Sequence, residues 1–238
     1  MQRYFANIYS GEVALSKDDA FHLEKVMRAR VKDKIEVVSD EKVYLCEVAS
    51  LKPLSVKVKS TIEENNELRC HVILVAALLK GDHTDLIVQK ATELGASEIV
   101  LLSTERTIVK IKDKEREHKL NRYRLIAKEA AEQSKRLIIP TVRFLKFSEL
   151  NEINAKLKLI AYEGMQGLVD KYASTIEKIK SEESIAILIG PEGGFSKGEV
   201  DTACYYGYKK ISLGKRILRA ETACFYALSV ISNILEKK

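Results

Sequence analysis

Two turns in the C-terminal part of the sequence combine glycine with residue types that bind ligands or move protons. The first, residues 190–196, leaves a very apolar strand and contains three glycines and one proline. Ser196 and Glu199 have the spacing of a capping box, which predicts that a helix begins directly after this turn. Because glycine lets a backbone approach a ligand closely, we interpret the turn as a ligand-binding loop, with an ordinary glycine-rich connection as the alternative.

The second turn also joins a predicted strand to a predicted helix, and Gly214 marks its beginning. Ile217 and Leu218 are apolar residues within a loop, a pattern that is typical of side chains that cover something. Arg219 and Glu221 fall at the start of the last helix, where the helix dipole favours a carboxylate. Their alternative role is structural, since Glu221 would stabilise the helix terminus and Arg219 would pair with it.

Strands alternate with helices around these turns, which is typical of an α/β fold with a mostly parallel sheet covered on both faces. Ligands of such sheets bind at the carboxyl ends of the strands, so we expect the site in the loops after Ile189 and Leu213. Strands are predicted at 71–79, 98–103, 141–144, 157–162, 184–190 and 209–214, and helices at 84–96, 115–135, 148–155, 168–181, from 197 and from 220.

The first 69 residues have a different pattern from the rest of the chain. One helix, predicted from Ser16 to about Arg30, precedes the short β-like runs Lys34–Val38, Lys42–Val48 and Leu54–Lys59. The polar stretch Glu63–Arg69 is the predicted linker. We therefore predict a small β-rich domain over residues 1–69 and an α/β domain over residues 70–238.

The composition favours a folded protein with a polyanionic partner. The 238 residues are 46% hydrophobic and 31% charged, and the net charge is +6. Neither a signal peptide nor a membrane-spanning run is recognisable, so we expect a cytoplasmic protein without membrane contact. The dinucleotide, P-loop, HExxH and GxSxG motifs are missing, and the scattered histidines and cysteines indicate no metal site and four reduced thiols.

Several segments together resemble a known family. The strings IGPEGGFSKGEV and LGKRILRAETA resemble the two C-terminal signature motifs of the SPOUT methyltransferases. More narrowly, the chain is similar to the ribosomal RNA small-subunit methyltransferase E family. The segments RYF, HLEKVMRARVKDKIEVV, KGDHTDLIVQKATELGA and EAAEQSKR share that family's layout. One departure is Lys135, which stands where the family usually has glycine.

The resemblance implies a PUA-like β-barrel that helps bind RNA, followed by an α/β domain with a deep trefoil knot. It also implies a homodimer with its active sites at the subunit interface. The last helix, which is apolar nearly all round, fits either such an interface or simple core burial. The implied reaction is methylation of a uridine at N3 in 16S ribosomal RNA, with the assembled 30S subunit as the expected partner.

The implied cofactor is S-adenosylmethionine, held by backbone groups and apolar side chains. Glu163 lies on a third loop that we expect to converge on the pocket, although an exposed turn residue is the alternative. Because N3 of uridine carries a proton, the reaction needs an arginine to stabilise the anion or a carboxylate to accept the proton. Arg219 and Glu221 are the candidates for these roles. By resemblance, the pocket residues are Gly190, Glu192, Gly193, Leu213, Gly214, Ile217 and Leu218.

RNA contacts are expected from basic residues of both domains. The candidates are Arg3, Arg28, Arg30 and Arg136, while the other charges of the long helix are equally consistent with a solvated face. Two alternatives remain at the level of the sequence. One is a SPOUT methyltransferase of another target, either a ribose 2′-hydroxyl or transfer RNA. The other is a non-catalytic RNA-binding factor of ribosome assembly.

Overall fold

The computed structural model describes residues 1–109, 111–162 and 177–237. The chain divides into two units, of which the first contains Met1–Glu67 and Ala131–Ile138. The second contains Leu68–Ala130 and Ile139–Lys238. The segment Ala131–Ile138 thus packs with the N-terminal residues, although it lies within the predicted α/β domain. The division of function at residues 69 and 70 stays a prediction.

Six described strands form the sheet of the first unit: β1 (Arg3–Phe5), β2 (Asn7–Tyr9), β3 (Glu12–Ala14), β4 (Lys34–Ser39), β5 (Lys42–Leu51) and β6 (Leu54–Ile62). Their order is β1-β4-β5-β6-β3-β2, and only the β1–β4 pair among them is parallel. Alternate residues such as Val37, Cys46 and Val48 form a common core. The β-rich character of this part was predicted, but β1 to β3 were not, because three-residue strands carry little periodicity.

The first helix is shorter than the sequence predicted. Helix α1 (Lys17–Phe21) begins where expected, with the Asp19 amide donating to Ser16 Oγ over 3.1 Å. A single π-helical turn, His22–Val26, continues it. The prediction that the helix reaches Arg30 was wrong, because Arg28 has a φ of +53° and left-handed backbone ends a helix.

The second unit contains six described strands: β7 (His71–Ala77), β8 (Glu98–Ser103), β9 (Thr141–Lys146), β10 (Leu157–Ala161), β11 (Ser184–Ile189) and β12 (Lys209–Ile211). They form one parallel sheet in the order β12-β10-β11-β7-β8-β9. The helices are α2 (His83–Glu93), α3 (Asp113–Gln133, ending in the first unit), α4 (Lys197–Tyr205) and α5 (Ala220–Glu236), with a 3-10 helix at Phe147–Glu152.

The apolar strands of this sheet are covered on both faces. In β11, Ile185 and Ile187 pack into the cluster that includes α2 and α5. The alternate residues Ala186 and Leu188 pack with α4 on the opposite face. Each fully buried isoleucine or leucine contributes roughly 1.5–3 kcal/mol. The continuous apolar runs of the sequence therefore correspond to strands that are buried on both sides, as predicted.

Some bounds of the second unit differ from the predicted elements or fall outside the described residues. Strand β12 ends at Ile211 rather than at residue 214, because its partner β10 ends at Ala161, which pairs with Ile211. Of the helix predicted at 168–181, residues 177–181 are helical and the remainder lies outside the described residues. Strand β11 lies between β7 and β10, both of which precede it in the chain. This order is compatible with a trefoil knot, which stays a prediction.

Helix α5 is less uniformly buried than its composition suggested. Its buried residues, such as Ala223, Leu228 and Ile231, pack against the sheet and α2. The residues Thr222, Tyr226, Ser229 and Asn233 form an exposed stripe along it. Within the described ranges, no helix is both long and apolar enough to cross a membrane.

Candidate active site

The carboxyl ends of three neighbouring strands surround a cavity of about 540 Å³ in the second unit. This is the position that the rule for parallel sheets predicted. Residues after β10, β11 and β12 line it, together with the starts of α2 and α5. The lining residues are His83, Ala161, Tyr162, Ile189, Gly190, Pro191, Glu192, Gly194, Phe195, Ser212, Leu213, Gly214, Arg216, Ile217, Leu218, Arg219, Ala220, Glu221 and Ala223.

The loop after β11 owes its tight path to its glycines. A Cβ atom at Gly190 would lie 3.0 Å from the ring of Phe195, whose side chain is buried in the core. Gly194 has a φ of +65°, and its amide donates to the Pro191 carbonyl over 2.9 Å. Both glycines are therefore required by the fold of the loop, and the same loop forms one wall of the cavity.

The capping box that the sequence predicted is formed, and it connects two loops. Ser196 Oγ accepts a hydrogen bond from the Glu199 amide over 3.3 Å, and Glu199 Oε2 accepts one from the Ser196 amide over 2.9 Å. The second oxygen of Glu199 accepts from the Glu105 amide over 2.8 Å. Next to it, Arg106 Nη1 donates to the Gly193 carbonyl over 2.8 Å. The loop after β8 thus fixes the loop after β11.

The loop after β12 supplies the opposite wall. Ser212 Oγ accepts from the Gly214 amide over 3.2 Å and donates to the Gly214 carbonyl over 3.1 Å, which closes the turn. Leu218 packs against the main core cluster, while the Ile217 side chain is 77% exposed beside the cavity. Both apolar side chains border the cavity, Leu218 from the core side and Ile217 from the solvent side.

Arg219 and Glu221 both line the cavity from the start of α5. Arg219 is the N-cap residue, and its carbonyl accepts from the Ala223 amide over 2.8 Å. Within the described part of the chain, Oε1 of Glu221 lies 3.6 Å from Nδ1 of His83, and no ion pair joins Glu221 to Arg219. The Glu221 carboxylate side chain is only 13% exposed, so its charge faces the cavity from a largely covered position.

The predicted cofactor residues are brought together with two exceptions. Gly190, Glu192, Leu213, Gly214, Ile217 and Leu218 line the cavity. Gly193 lies in the same loop, but its carbonyl is bound to Arg106 and it does not line the described cavity. Glu163 lies outside the described residues. The sequence prediction missed His83 and Arg106, although His83 belongs to the KGDHTDLIVQKATELGA segment and Arg106 follows a strand end.

Comparisons with known proteins show which family the chain belongs to. A model of an RNA methyltransferase domain matches residues 66–232, and one of an RNA methyltransferase PUA domain matches residues 15–59. Ribosomal RNA small subunit methyltransferase E of Bacillus subtilis is 33% identical over 98% of this chain and 96% of its own length. The chain belongs to the ribosomal RNA small subunit methyltransferase E family. The Synechocystis member is also 33% identical, over 96% of this chain and 75% of its own.

Solved structures of this family and its relatives share the fold of the whole chain. A methyltransferase from Legionella pneumophila, in complex with S-adenosylmethionine, is 30% identical and superimposes with a TM-score of 0.87 over 97% of this chain and 96% of its own. The methyltransferase E of Neisseria gonorrhoeae, also bound to S-adenosylmethionine, is 26% identical with a TM-score of 0.87 and 98% coverage of both chains. The predicted combination of a parallel-sheet methyltransferase domain and a PUA-like domain is confirmed.

Two of the four arginines predicted to bind RNA are buried in ion pairs of the first unit. The Arg3 side chain is fully covered and donates to Glu36 over 2.9 Å and to Glu64 over 2.8 Å. The Arg136 side chain, 3% exposed, donates to Glu67 over 2.6 Å. In this structure both guanidinium groups stabilise the first unit through ion pairs, and the RNA contact of Arg3 and Arg136 stays a prediction.

Arg28 and Arg30, in contrast, are exposed and lie in the part of the chain that matches the family's PUA domain. The departure at Lys135 also has a structural explanation. Lys135 has a φ of +62° at the end of α3, where the Arg136 amide donates to the Ala131 carbonyl over 2.9 Å. This is the helix-terminating position that favours glycine, and here a lysine occupies it while its Nζ donates to Glu36 over 2.7 Å.

The described residues contain no group of three His, Cys, Asp or Glu side chains suited to a metal ion. All four cysteines are free thiols, and burial raises the pKa of Cys46 and of Cys70 to about 11. Burial, followed by the charge of Glu221, also raises the pKa of Cys224. These three thiols therefore stay protonated near neutral pH and are poor nucleophiles.

Proposed function

We propose that this chain transfers a methyl group from S-adenosylmethionine to N3 of a uridine in 16S ribosomal RNA of the small subunit. The observation that carries the proposal is the cavity between the loops after β11 and β12, lined by both signature motifs. Membership of the methyltransferase E family supports it. The S-adenosylmethionine bound to the Legionella and Neisseria proteins supports the choice of cofactor.

The chemistry of the cavity fits this cofactor. Ile189, Leu213 and Leu218 offer apolar surface for an adenine ring, and the glycine turns at 190 and 214 offer backbone groups at their sides. Glu192 supplies a carboxylate for a cationic group of the ligand. A cavity of about 540 Å³ is within the usual range of roughly 300–1,000 Å³ for small-molecule sites. We assign the cofactor to Gly190, Glu192, Leu213, Gly214, Ile217 and Leu218.

The bound cofactor supplies an electrophilic methyl group. The residues of the chain accept the N3 proton of the uridine and stabilise the negative charge that develops on it. We assign Glu221 as the base that accepts the N3 proton, which leaves the N3 electron pair to form the new bond. Arg219, two residues away on the same cavity wall, stabilises the negative charge that develops on the uracil. Holding the base against the methyl group supplies a further part of the rate.

The RNA is proposed to contact the first domain, residues 1–69, while residues 70–238 carry the chemistry. Arg28 and Arg30 are the exposed candidates for phosphate contacts. A homodimer is proposed because Ile217 exposes 77% of its apolar surface beside the cavity, where a second copy would cover it. The assembled 30S subunit in the cytoplasm is the proposed substrate, in keeping with the small-subunit names of the relatives.

The experiment offers labelled S-adenosylmethionine and three acceptors in parallel: 30S subunits that lack the modification, naked 16S RNA, and transfer RNA. The proposal expects label in 30S subunits first. Label in transfer RNA alone would instead support the alternative that the chain is a methyltransferase of transfer RNA. Calorimetric titration of S-adenosylmethionine accompanies the assay, because a micromolar dissociation constant corresponds to about 8 kcal/mol and is easily measured. Absence of both cofactor binding and methyl transfer would support the alternative that the chain is a non-catalytic RNA-binding factor.

A further inference from the structure

A histidine outside the two C-terminal signature motifs lies in the wall of the cavity. His83 is the first residue of α2, directly after the turn that follows β7. The turn is fixed by the buried side chain of Thr84, whose Oγ1 accepts from the Leu79 amide over 3.1 Å and donates to the Leu79 carbonyl over 3.2 Å. The backbone at His83 is therefore held in place independently of the imidazole.

The imidazole faces Glu221 from the opposite helix. Nδ1 of His83 lies 3.6 Å from Oε1 of Glu221, and both residues line the cavity. This distance is too long for a direct hydrogen bond but within the range of an ion pair. The His83 side chain is 48% exposed and the Glu221 side chain 13%, so the imidazole is open to solvent and the carboxylate is largely covered. Catalytic contacts of this kind commonly shorten when substrate binds.

Two arginines share the cavity with His83 and Glu221. Arg216 and Arg219 line the same space, but within the described residues the side-chain contact of Glu221 is with His83. His83 approaches the carboxylate from α2, which packs beside α5 in the core. The Glu221 carboxylate thus lies against His83 rather than against either arginine.

We propose that His83 is a positioning residue, which holds the Glu221 carboxylate in the orientation needed to accept the N3 proton. This inference rests on the proposed function, since it assigns a partner to the residue proposed as the base. It predicts that a permanent cation at residue 83 preserves the reaction and that a neutral small side chain does not. The effect of residue 83 must also disappear once Glu221 can no longer accept a proton.

A second histidine in the same unit provides a matched control. His71, the first residue of β7, lies 3.9 Å from Glu98 through Nε2 and Oε2. Its side chain is 51% exposed, close to that of His83, but it does not line the cavity. Loss of this pair removes the same kind of contact from the same domain without touching the proposed site.

The experiment measures kcat, KM for 30S subunits and the dissociation constant of S-adenosylmethionine in five variants of the full chain. These are His83→Ala, His83→Lys, His71→Ala, Glu221→Gln and the double variant His83→Ala with Glu221→Gln. We expect His83→Ala to lower kcat roughly 10- to 100-fold, as displacement of a reacting group does, with unchanged cofactor affinity. His83→Lys should stay within about threefold of the original chain, and His71→Ala should have no effect.

The double variant decides between positioning and an independent role. If His83 acts through Glu221, the double variant has the kcat of Glu221→Gln alone. Multiplied losses, or a His83→Ala variant with unchanged kcat, would overturn the inference. Thermal unfolding of each variant and the activity of His83→Lys distinguish a loss of positioning from a folding defect. Failure of the proposed function is distinct, because then the unsubstituted chain itself transfers no methyl group.

Discussion

Arg136 donates through Nη2 to the Glu67 carboxylate over 2.6 Å, and the same carboxylate accepts from the Leu137 amide over 2.7 Å. Only 3% of the Arg136 side chain is exposed. The pair links the two segments of the first unit. Glu67 is the last residue of the N-terminal segment, and Arg136 lies in the second segment, Ala131–Ile138. The arginine at the end of the EAAEQSKR segment is therefore a structural residue.

Arg136→Ala should lower the free energy of unfolding by about 3 kcal/mol, because it leaves the Glu67 carboxylate without its buried partner. Urea denaturation measures this directly. The control is Lys59→Ala, which removes the more exposed pair of Lys59 with Glu47 at 3.0 Å and should cost less than about 1 kcal/mol. A stable Arg136→Ala variant that binds cofactor but fails to methylate RNA would instead support the predicted RNA contact.

Leu218→Asp should damage cofactor binding before anything else. The substitution places a carboxylate against the apolar part of the cavity, where Leu218 packs on the core cluster. We expect the dissociation constant of S-adenosylmethionine to rise at least about 10-fold, which corresponds to roughly 1.4 kcal/mol. Calorimetry measures it, with Val31→Asp as a control at an exposed apolar residue of the first unit. Unchanged affinity of Leu218→Asp for S-adenosylmethionine would show that the cofactor does not bind in this cavity.

Glu221→Gln should separate chemistry from binding. The amide keeps the size of the side chain but cannot accept the N3 proton, so we expect kcat to fall about 100-fold or more. Cofactor affinity should stay within a few-fold, as calorimetry will determine. Glu236→Gln, at the exposed far end of the same helix, is the control. A kcat within a few-fold of the original chain would exclude Glu221 as the base.

The stability of the first unit should depend on pH through Glu36. Burial by itself raises the pKa of Glu36, but hydrogen bonds from Lys135 and Arg3 outweigh this and lower the pKa below its ordinary value of 4.5. A lowered pKa in the folded state means that the stabilisation is present above about pH 4.5 and is lost as the pH falls through the lower, folded value.

Thermal unfolding of the unsubstituted chain and of Glu36→Gln between pH 7 and pH 3 checks this dependence. The original chain should be more stable at neutral pH, and the difference should shrink as the pH falls below the ordinary carboxyl range. A difference that stays constant over this range would show that the ionised form of Glu36 contributes nothing to the fold.

The parts of the fold that the sequence predicted are those with strong local patterns. The run Glu98–Ser103 was predicted with its observed bounds, and the capping box at Ser196 fixed the start of α4, because apolar runs and caps act over a few residues. The two loops of the cavity were found for the same reason, since each follows a strand in a parallel sheet.

The remaining features depend on contacts between distant residues. The charges of Arg3 and Arg136 are visible in the sequence, but their pairing with the glutamates at 36, 64 and 67 is not, so the sequence does not predict that they are buried. His83 reaches the cavity only because α2 packs beside α5, and it is 138 positions from Glu221. Such pairings require the three-dimensional arrangement of the sheet.

The most direct test of the central claim is the identity of the nucleoside formed when the chain and labelled S-adenosylmethionine act on 30S subunits that lack the modification. The labelled RNA is digested to nucleosides and separated against standards. The account predicts 3-methyluridine as the labelled product, lost in Glu221→Gln and restored by the original chain. A ribose 2′-O-methyl nucleoside, a base methylated at another atom, or no product with cofactor bound would contradict it.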